Sequence, residues 1–160
     1  MGVNPASAGF AGLLMNDGVM LQLPAFSRDA VLRALALAAS ARLGLPPMQV
    51  HDQLRTREAL GSTAVGGGVA IPHTRLADLD RCAAMLARLP QPVDWQASDG
   101  EPVDIVVLLL SPASNSADHL KALARISRAL RDAATLPALR AATSVAGVLA
   151  AVSGDASITA

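Results

Sequence analysis

An α/β fold, a single domain with a mixed central β-sheet flanked by helices, is predicted by three features of the chain. Apolar residues recur at helical spacing in some segments, as with Val31, Leu32, Leu35, Ala39 and Leu43. Elsewhere they run without alternation, as across residues 103–110, which reads as a strand buried on both faces. The two kinds of segment interleave, with no internal repeat and no linker long enough to divide domains. At 160 residues the chain suits one domain with a sizeable core. Residues 10–152 are expected to form it, and the small, polar stretches 1–9 and 153–160 to be flexible ends.

Residues 10–15 suit a short helical turn and residues 19–23 a strand. Ser27 can cap a helix through residue 43, and Gly44 can end it in the left-handed region. Pro46 or Pro47 opens a second helix that reaches Ala59 and stops by Gly61. Two short apolar segments, 63–65 and 69–71, are joined by Gly66, Gly67 and Gly68, which suit a tight hairpin because glycine takes positive φ without a Cβ penalty. Pro72 has no N–H for a ladder, so the strand should stop there and leave His73 on a loop at the mouth of the sheet. A strand over 82–89, a turn-rich stretch with Trp95 and Asp99-Gly100, and the buried strand at 103–110 follow. Ser116 is expected to cap a helix through residue 132. Residues 135–142 and 144–152 complete a helical C-terminus.

Composition narrows the function classes. Hydrophobic residues make up 52% of the chain, charged residues 16% and aromatic residues 2%, so the core must be aliphatic. Thirteen basic residues balance thirteen acidic ones, which argues against a general nucleic-acid or anionic-membrane surface. The lone Cys82 excludes an internal disulfide and fits a reducing compartment; its apolar segment suggests a buried structural thiol. No basic residue precedes Arg28, no signal-like apolar stretch follows, and the run 105–110 is too short to span a bilayer. A cytoplasmic protein without an integral membrane segment is expected.

Three side chains stand out. Imidazole titrates near neutral pH without perturbation, and His73 is presented by the glycine hairpin. Val50, Leu54 and Arg57 form one stripe at i, i+4 and i+7, so Arg57 either snorkels out at the helix end or meets an anion. His119, near the start of a helix, shares a face with Leu123, Ile126 and Leu130 and should point into the body of the protein; a local hydrogen bond is its plainer role. His51 reads as surface and Arg55 as solvated. The histidines lack the spacing of a metal site, the serines lack a GxSxG elbow, and GGG lacks the following Lys-Ser/Thr of a nucleotide loop. Neither metal nor cofactor is expected. Two histidines and an arginine around one cleft suit phosphoryl transfer, which needs a nucleophile, positioning and positive charge.

The segment REALGSTAVGGGVAIPHTR resembles the active-site stretch of enzyme IIA proteins of the fructose/mannitol type in the bacterial phosphotransferase system, particularly the nitrogen-regulatory branch. VDWQASDGEPVDIVVLLLSP and DHLKALARISRALRD extend the resemblance over residues 10–152. It implies the EIIA type-2 fold, His73 as phosphoacceptor, and His119 and Arg57 as phosphate-stabilising residues. It also implies a phosphohistidine relay fed from phosphoenolpyruvate through an HPr-like phosphocarrier protein. Two positions depart from the family pattern: Thr74 stands where glycine is usual, and Gly67 where Asn or Glu is usual. The Thr74 hydroxyl could bond a phosphate oxygen. Three roles stay open: a phosphocarrier regulating unknown target proteins by its phosphorylation state, a sugar-specific component serving a permease subunit, and a binding module without phosphotransfer. Oligomeric state is also open, a homodimer included.

Overall fold

The structure, a computed structural model, describes residues 9–153. A 3-10 turn at Ala11–Leu13 leads into β1 (Leu14–Met20), α1 (Arg28–Leu43) and α2 (Pro47–Ala59). The short strands β2 (Ala64–Gly66), β3 (Val69–Ala70) and β4 (His73–Leu76) precede two long ones, β5 (Ala83–Val93) and β6 (Val103–Pro112). Three helices close the chain: α3 (Ser116–Arg131), α4 (Thr135–Ala141) and α5 (Val145–Val152). The predicted mixed sheet flanked by helices is what forms. Residues 1–8 and 154–160 of the expected flexible ends lie outside the described residues; Gly9 bonds to Ser153 and Arg125.

Strand order is β1-β5-β6-β3-β2, with β4 also pairing β6. β5 runs antiparallel to β6, whereas β3 and β4 both run parallel to it as two pieces of one lane. Helices cover both faces. Val106, Leu108 and Leu110 of β6 pack in one core with Val31, Leu32 and Leu35 of α1 and Val50 and Leu54 of α2. Ile105, Val107 and Leu109 pack in a second with Ala122 and Ile126 of α3 and Val148 of α5. Burial on both faces is why this strand's sequence shows no alternation.

Several boundaries differ from expectation, each for a local reason. The first strand occupies Leu14–Met20 and not 19–23; Asp17 at φ 55° and Gly18 break its register with β5, which hides it from a period-two reading. The strand expected to stop by residue 89 continues to Val93, because a register shift between Arg88 and Val93 takes the prolines at 90 and 92 off the ladder. Asn115, not Ser116, caps α3, its side-chain oxygen accepting from Asp118 N at 3.0 Å. Ser27 and Gly44 bound α1 as expected, Gly44 at φ 69°.

The largest correction concerns His73. It does not sit on a loop but opens β4, opposite Leu109 of β6. Pro72 interrupts the lane without ending it, since its carbonyl still accepts from Leu109 N at 3.0 Å and pairing resumes one residue later. His51 is not a surface residue either: its side chain is 13% exposed, with Nε2 3.1 Å from Asp29 Oδ1 of α1. Cys82 is half-buried just before β5.

Between α2 and the hairpin lies a buried polar knot. Glu58 accepts from Thr63 N at 2.6 Å and from Thr63 Oγ1 at 2.7 Å, and Trp95 Nε1 donates to Thr63 Oγ1 at 3.1 Å. Trp95 is fully buried, and the Ser62 hydroxyl donates to its carbonyl at 2.6 Å. The hairpin tip is held from the other side, where Asp99 accepts from Gly67 N and Arg140, paired with Asp104, donates to Gly67 O. Thr63→Val should leave Glu58 Oε1 and the Trp95 N–H without a partner, while the Thr63 backbone N–H keeps its bond to Oε2. Stability in urea should fall by roughly 1–3 kcal/mol for each group left unpaired; an unchanged midpoint would show that the knot contributes nothing.

Candidate functional site

Beside the C-terminal half of β6 lies an open cleft of about 590 Å³. Three elements build it: α2 contributes Gln53 and Arg57, β4 contributes His73, Thr74 and Arg75, and α3 contributes Ser116, His119 and Leu120. Arg57, His73, Thr74 and His119, four candidates separated by up to 62 positions in the chain, therefore share one cavity. The two imidazoles face each other with ring centroids 5.4 Å apart, tilted by 47°.

The hydrogen bonds of His73 set its chemistry. Its Nδ1 lies 2.8 Å from the carbonyl oxygen of Ile71. A carbonyl only accepts, so Nδ1 carries the proton and Nε2 keeps the lone pair. Ile71 is itself fixed, its N–H donating to Thr63 O at 3.0 Å. Burial pushes the His73 pKa down, the Ile71 carbonyl works against that shift, and the Arg57 guanidinium lowers it further against Glu58. His73 is thus neutral at pH 7, the form in which an imidazole nitrogen is nucleophilic.

His119 is buried, and its Nδ1 lies 2.8 Å from the hydroxyl of the fully buried Ser111. When that hydroxyl donates, His119 Nε2 bears the proton and becomes a donor. Its pKa is lowered by burial first, then by His73 and by Arg75. It is the fourth residue of α3, and Ile126 and Leu130 on its face are buried as the spacing required.

Arg57 is half-buried, and its Nη1 donates to Gly61 O at 2.9 Å, closing the C-terminal end of its own helix. One of its five donors is spent on this bond, so snorkelling and anion contact are compatible roles. Arg55 is largely solvated and reaches Asp29, away from the cleft. The Thr74 hydroxyl donates to Gln53 Oε1 at 3.3 Å. Sequence reasoning missed Gln53, Arg75, Ser111 and Ser116. Arg75 could have been found from the strand period, two residues beyond His73, and Gln53 from its place one turn before Arg57. Ser111 and Ser116 carried no signal, since each matters only through what folds against it. Among the described residues no group of three or more His, Cys, Asp or Glu could hold a metal ion, and no helix is long and apolar enough to cross a membrane.

The fold sets two facing imidazoles and two arginines around one cleft, and comparison with known proteins names its class. Residues 13–154 match the family described as phosphoenolpyruvate-dependent sugar phosphotransferase system, EIIA 2. A nitrogen regulatory protein of Bradyrhizobium diazoefficiens is 45% identical over 141 residues, covering 86% of this chain and 92% of that protein. The nitrogen regulatory protein of Escherichia coli K12 is 37% identical over 119 residues, 74% of this chain and 73% of that one. Among solved structures, the nitrogen regulatory protein IIA-Ntr of Neisseria meningitidis superposes with a TM-score of 0.84 at 28% identity, covering 89% of this chain and 98% of its own. The IIA mannitol protein of Escherichia coli shares the fold, with a TM-score of 0.72 at 20% identity over 86% of this chain and 96% of that one. The chain belongs to the EIIA type-2 family of the phosphotransferase system, in its nitrogen-regulatory branch.

Burial of two neutral imidazoles has a measurable consequence. Both folded-state pKa values lie below that of an unfolded histidine, so between the two values the unfolded chain binds more protons. Stability from these groups should be fully present above about pH 6.5 and decline as pH falls through the folded values. Urea midpoints across pH 5–8 should show this decline, and a His73→Ala, His119→Ala double variant should flatten it. Imidazole titration by NMR should place both residues below a free histidine; an ordinary value for either would contradict the burial argument.

Proposed function

We propose that His73 is the phosphoacceptor of this phosphocarrier. Nε2 attacks the phosphorus of a phosphohistidine on an HPr-like phosphocarrier protein. The carrier's P–N bond breaks as the new one forms, and its imidazole recovers the electron pair. The proton on His73 Nδ1 stays in its bond to the Ile71 carbonyl, so no separate base is required. Arg57 offers a planar fork to the phosphoryl oxygens, and His119, with Ser111 donating to its Nδ1, offers one further N–H.

The observation that carries this reading is the 2.8 Å contact between His73 Nδ1 and Ile71 O, which leaves Nε2 as the only nitrogen free to react. Support for a regulatory role comes from the relatives: a protein 45% identical over most of both chains is a nitrogen regulatory protein. Phosphorylation would bring close to two negative charges to a cleft that now holds none, enough to recruit or repel a partner. We therefore read the chain as a regulatory phosphocarrier whose phosphorylation state governs binding to target proteins.

Incubation with phosphoenolpyruvate, enzyme I and an HPr-like carrier should label the chain once, with an acid-labile phosphate, and His73→Ala should abolish the label. Full labelling of that variant would sink the assignment. His119→Ala and Arg57→Ala should each slow transfer by roughly 10²-fold while leaving the acceptor intact. Absence of any labelling of the intact protein would favour a binding module. Rapid, sugar-dependent loss of label in the presence of a fructose- or mannitol-type permease subunit would replace the regulatory reading with a transport one.

A further inference from the structure

Among the described residues, Arg75 is the one cation lining the cleft without a role in this scheme. It lies on β4 two residues past His73, and alternation along a strand puts residues i and i+2 on the same face. It lines the same cavity as Arg57 and His119, and its charge is felt at His119, whereas the charge of Arg57 is felt at His73. The two guanidinium groups thus act on opposite members of the histidine pair. Arg75 Nη1 donates to Ser116 Oγ at 2.7 Å, a neutral hydroxyl at the first residue of α3. No carboxylate lies within ion-pair distance of it among the bridges of the described residues.

Charge balance says what such a cation is for. A phosphoryl group on His73 carries close to two negative charges, and the Glu58 carboxylate is near enough to be felt at His73 as well. Arg57 alone leaves this half-buried site with uncompensated negative charge, which is costly away from bulk water. The group also has three terminal oxygens, whereas Arg57 and His119 are only two donor groups.

Resting on the assignment of His73 as acceptor, we propose that Arg75 is a second phosphoryl-binding guanidinium, parked on Ser116 in the unphosphorylated protein and transferred to a phosphoryl oxygen once His73 is modified. A neutral hydroxyl is a weaker partner than a dianion, so the exchange runs toward the phosphate. No bond other than hydrogen bonds changes in this step. Ser116, beside the exposed Leu120 on α3, then loses its donor, so the phosphorylated surface differs in hydrogen bonding as well as charge.

The test measures the equilibrium of phosphoryl exchange between the HPr-like carrier and the intact protein, with wild type, R75A, R75K and S116A. R75A should move the equilibrium roughly 10- to 100-fold toward the carrier, the range expected for one hydrogen bond to a charged group. R75K should recover part of this loss, and S116A, which keeps the cation, should leave phosphoryl retention at or above the wild-type level. In ¹⁵N NMR of the wild type, the Arg75 Nε–H resonance, assigned by its loss in R75K, should shift on phosphorylation. Normal labelling of His73 with an unmoved R75A equilibrium and an unmoved resonance would overturn this inference and leave the acceptor assignment standing. A loss in S116A equal to that in R75A would also overturn it, since the Ser116 bond would then be the relevant contact. Failure of the wild type to be labelled at His73 would overturn both.

Discussion

The cleft depends on how the buried carboxylate of Glu58 grips Thr63. Glu58 follows Arg57 at the end of α2, and Thr63 begins the hairpin that leads to His73. Two short hydrogen bonds from Thr63 to that carboxylate set the distance between a helix end and a sheet edge. The chain of contacts runs on without a gap: Thr63 O holds Ile71 N, and Ile71 O holds His73 Nδ1. An anion buried at this depth is costly unless its oxygens are satisfied, so the arrangement tolerates little adjustment. Arg57 and His73 are registered against each other by Glu58, a residue that does not line the cleft.

Pro72 has a second, opposite role. Its missing N–H helps break the lane that pairs with β6, yet the break spans only Ile71 and Pro72, and β4 resumes at His73. The histidine is therefore carried by a strand paired with β6, while its ring nitrogen bonds backward to Ile71 within the discontinuity. A loop would give the same side chain many orientations; a strand gives it one. On the proposed assignment of His73, a side chain fixed in advance would remove a reorganisation step from transfer.

How much of this was legible in the residues varied from element to element. Ser27, Gly44 and Pro47 announced α1 and α2 because caps and helix-starting prolines act through neighbours in sequence. β1 was misplaced because Asp17 and Gly18 distort it, and a strand bent around a bulge loses its period. The loss of Ser116 as a cap to Asn115 turned on a single residue, since both side chains can accept the same kind of N–H. Arg75 escaped because the strand was expected to stop at Pro72, which removed the i, i+2 relation that puts it on the same face as His73.

Local chemistry in the sequence was sufficient to determine the α/β class, the glycine hairpin, and the identity of the three side chains on which the candidate site rests, because backbone preferences and side-chain type need no distant partner. Tertiary structure decided what each does. It put His73 on a strand, fixed its tautomer through Ile71, set it half-buried beside the buried His119 with the pKa of both lowered, and hid Trp95 and Glu58 in one knot. Tautomer, burial and charge balance depend on groups far apart in the chain, and packing alone brings those groups within reach.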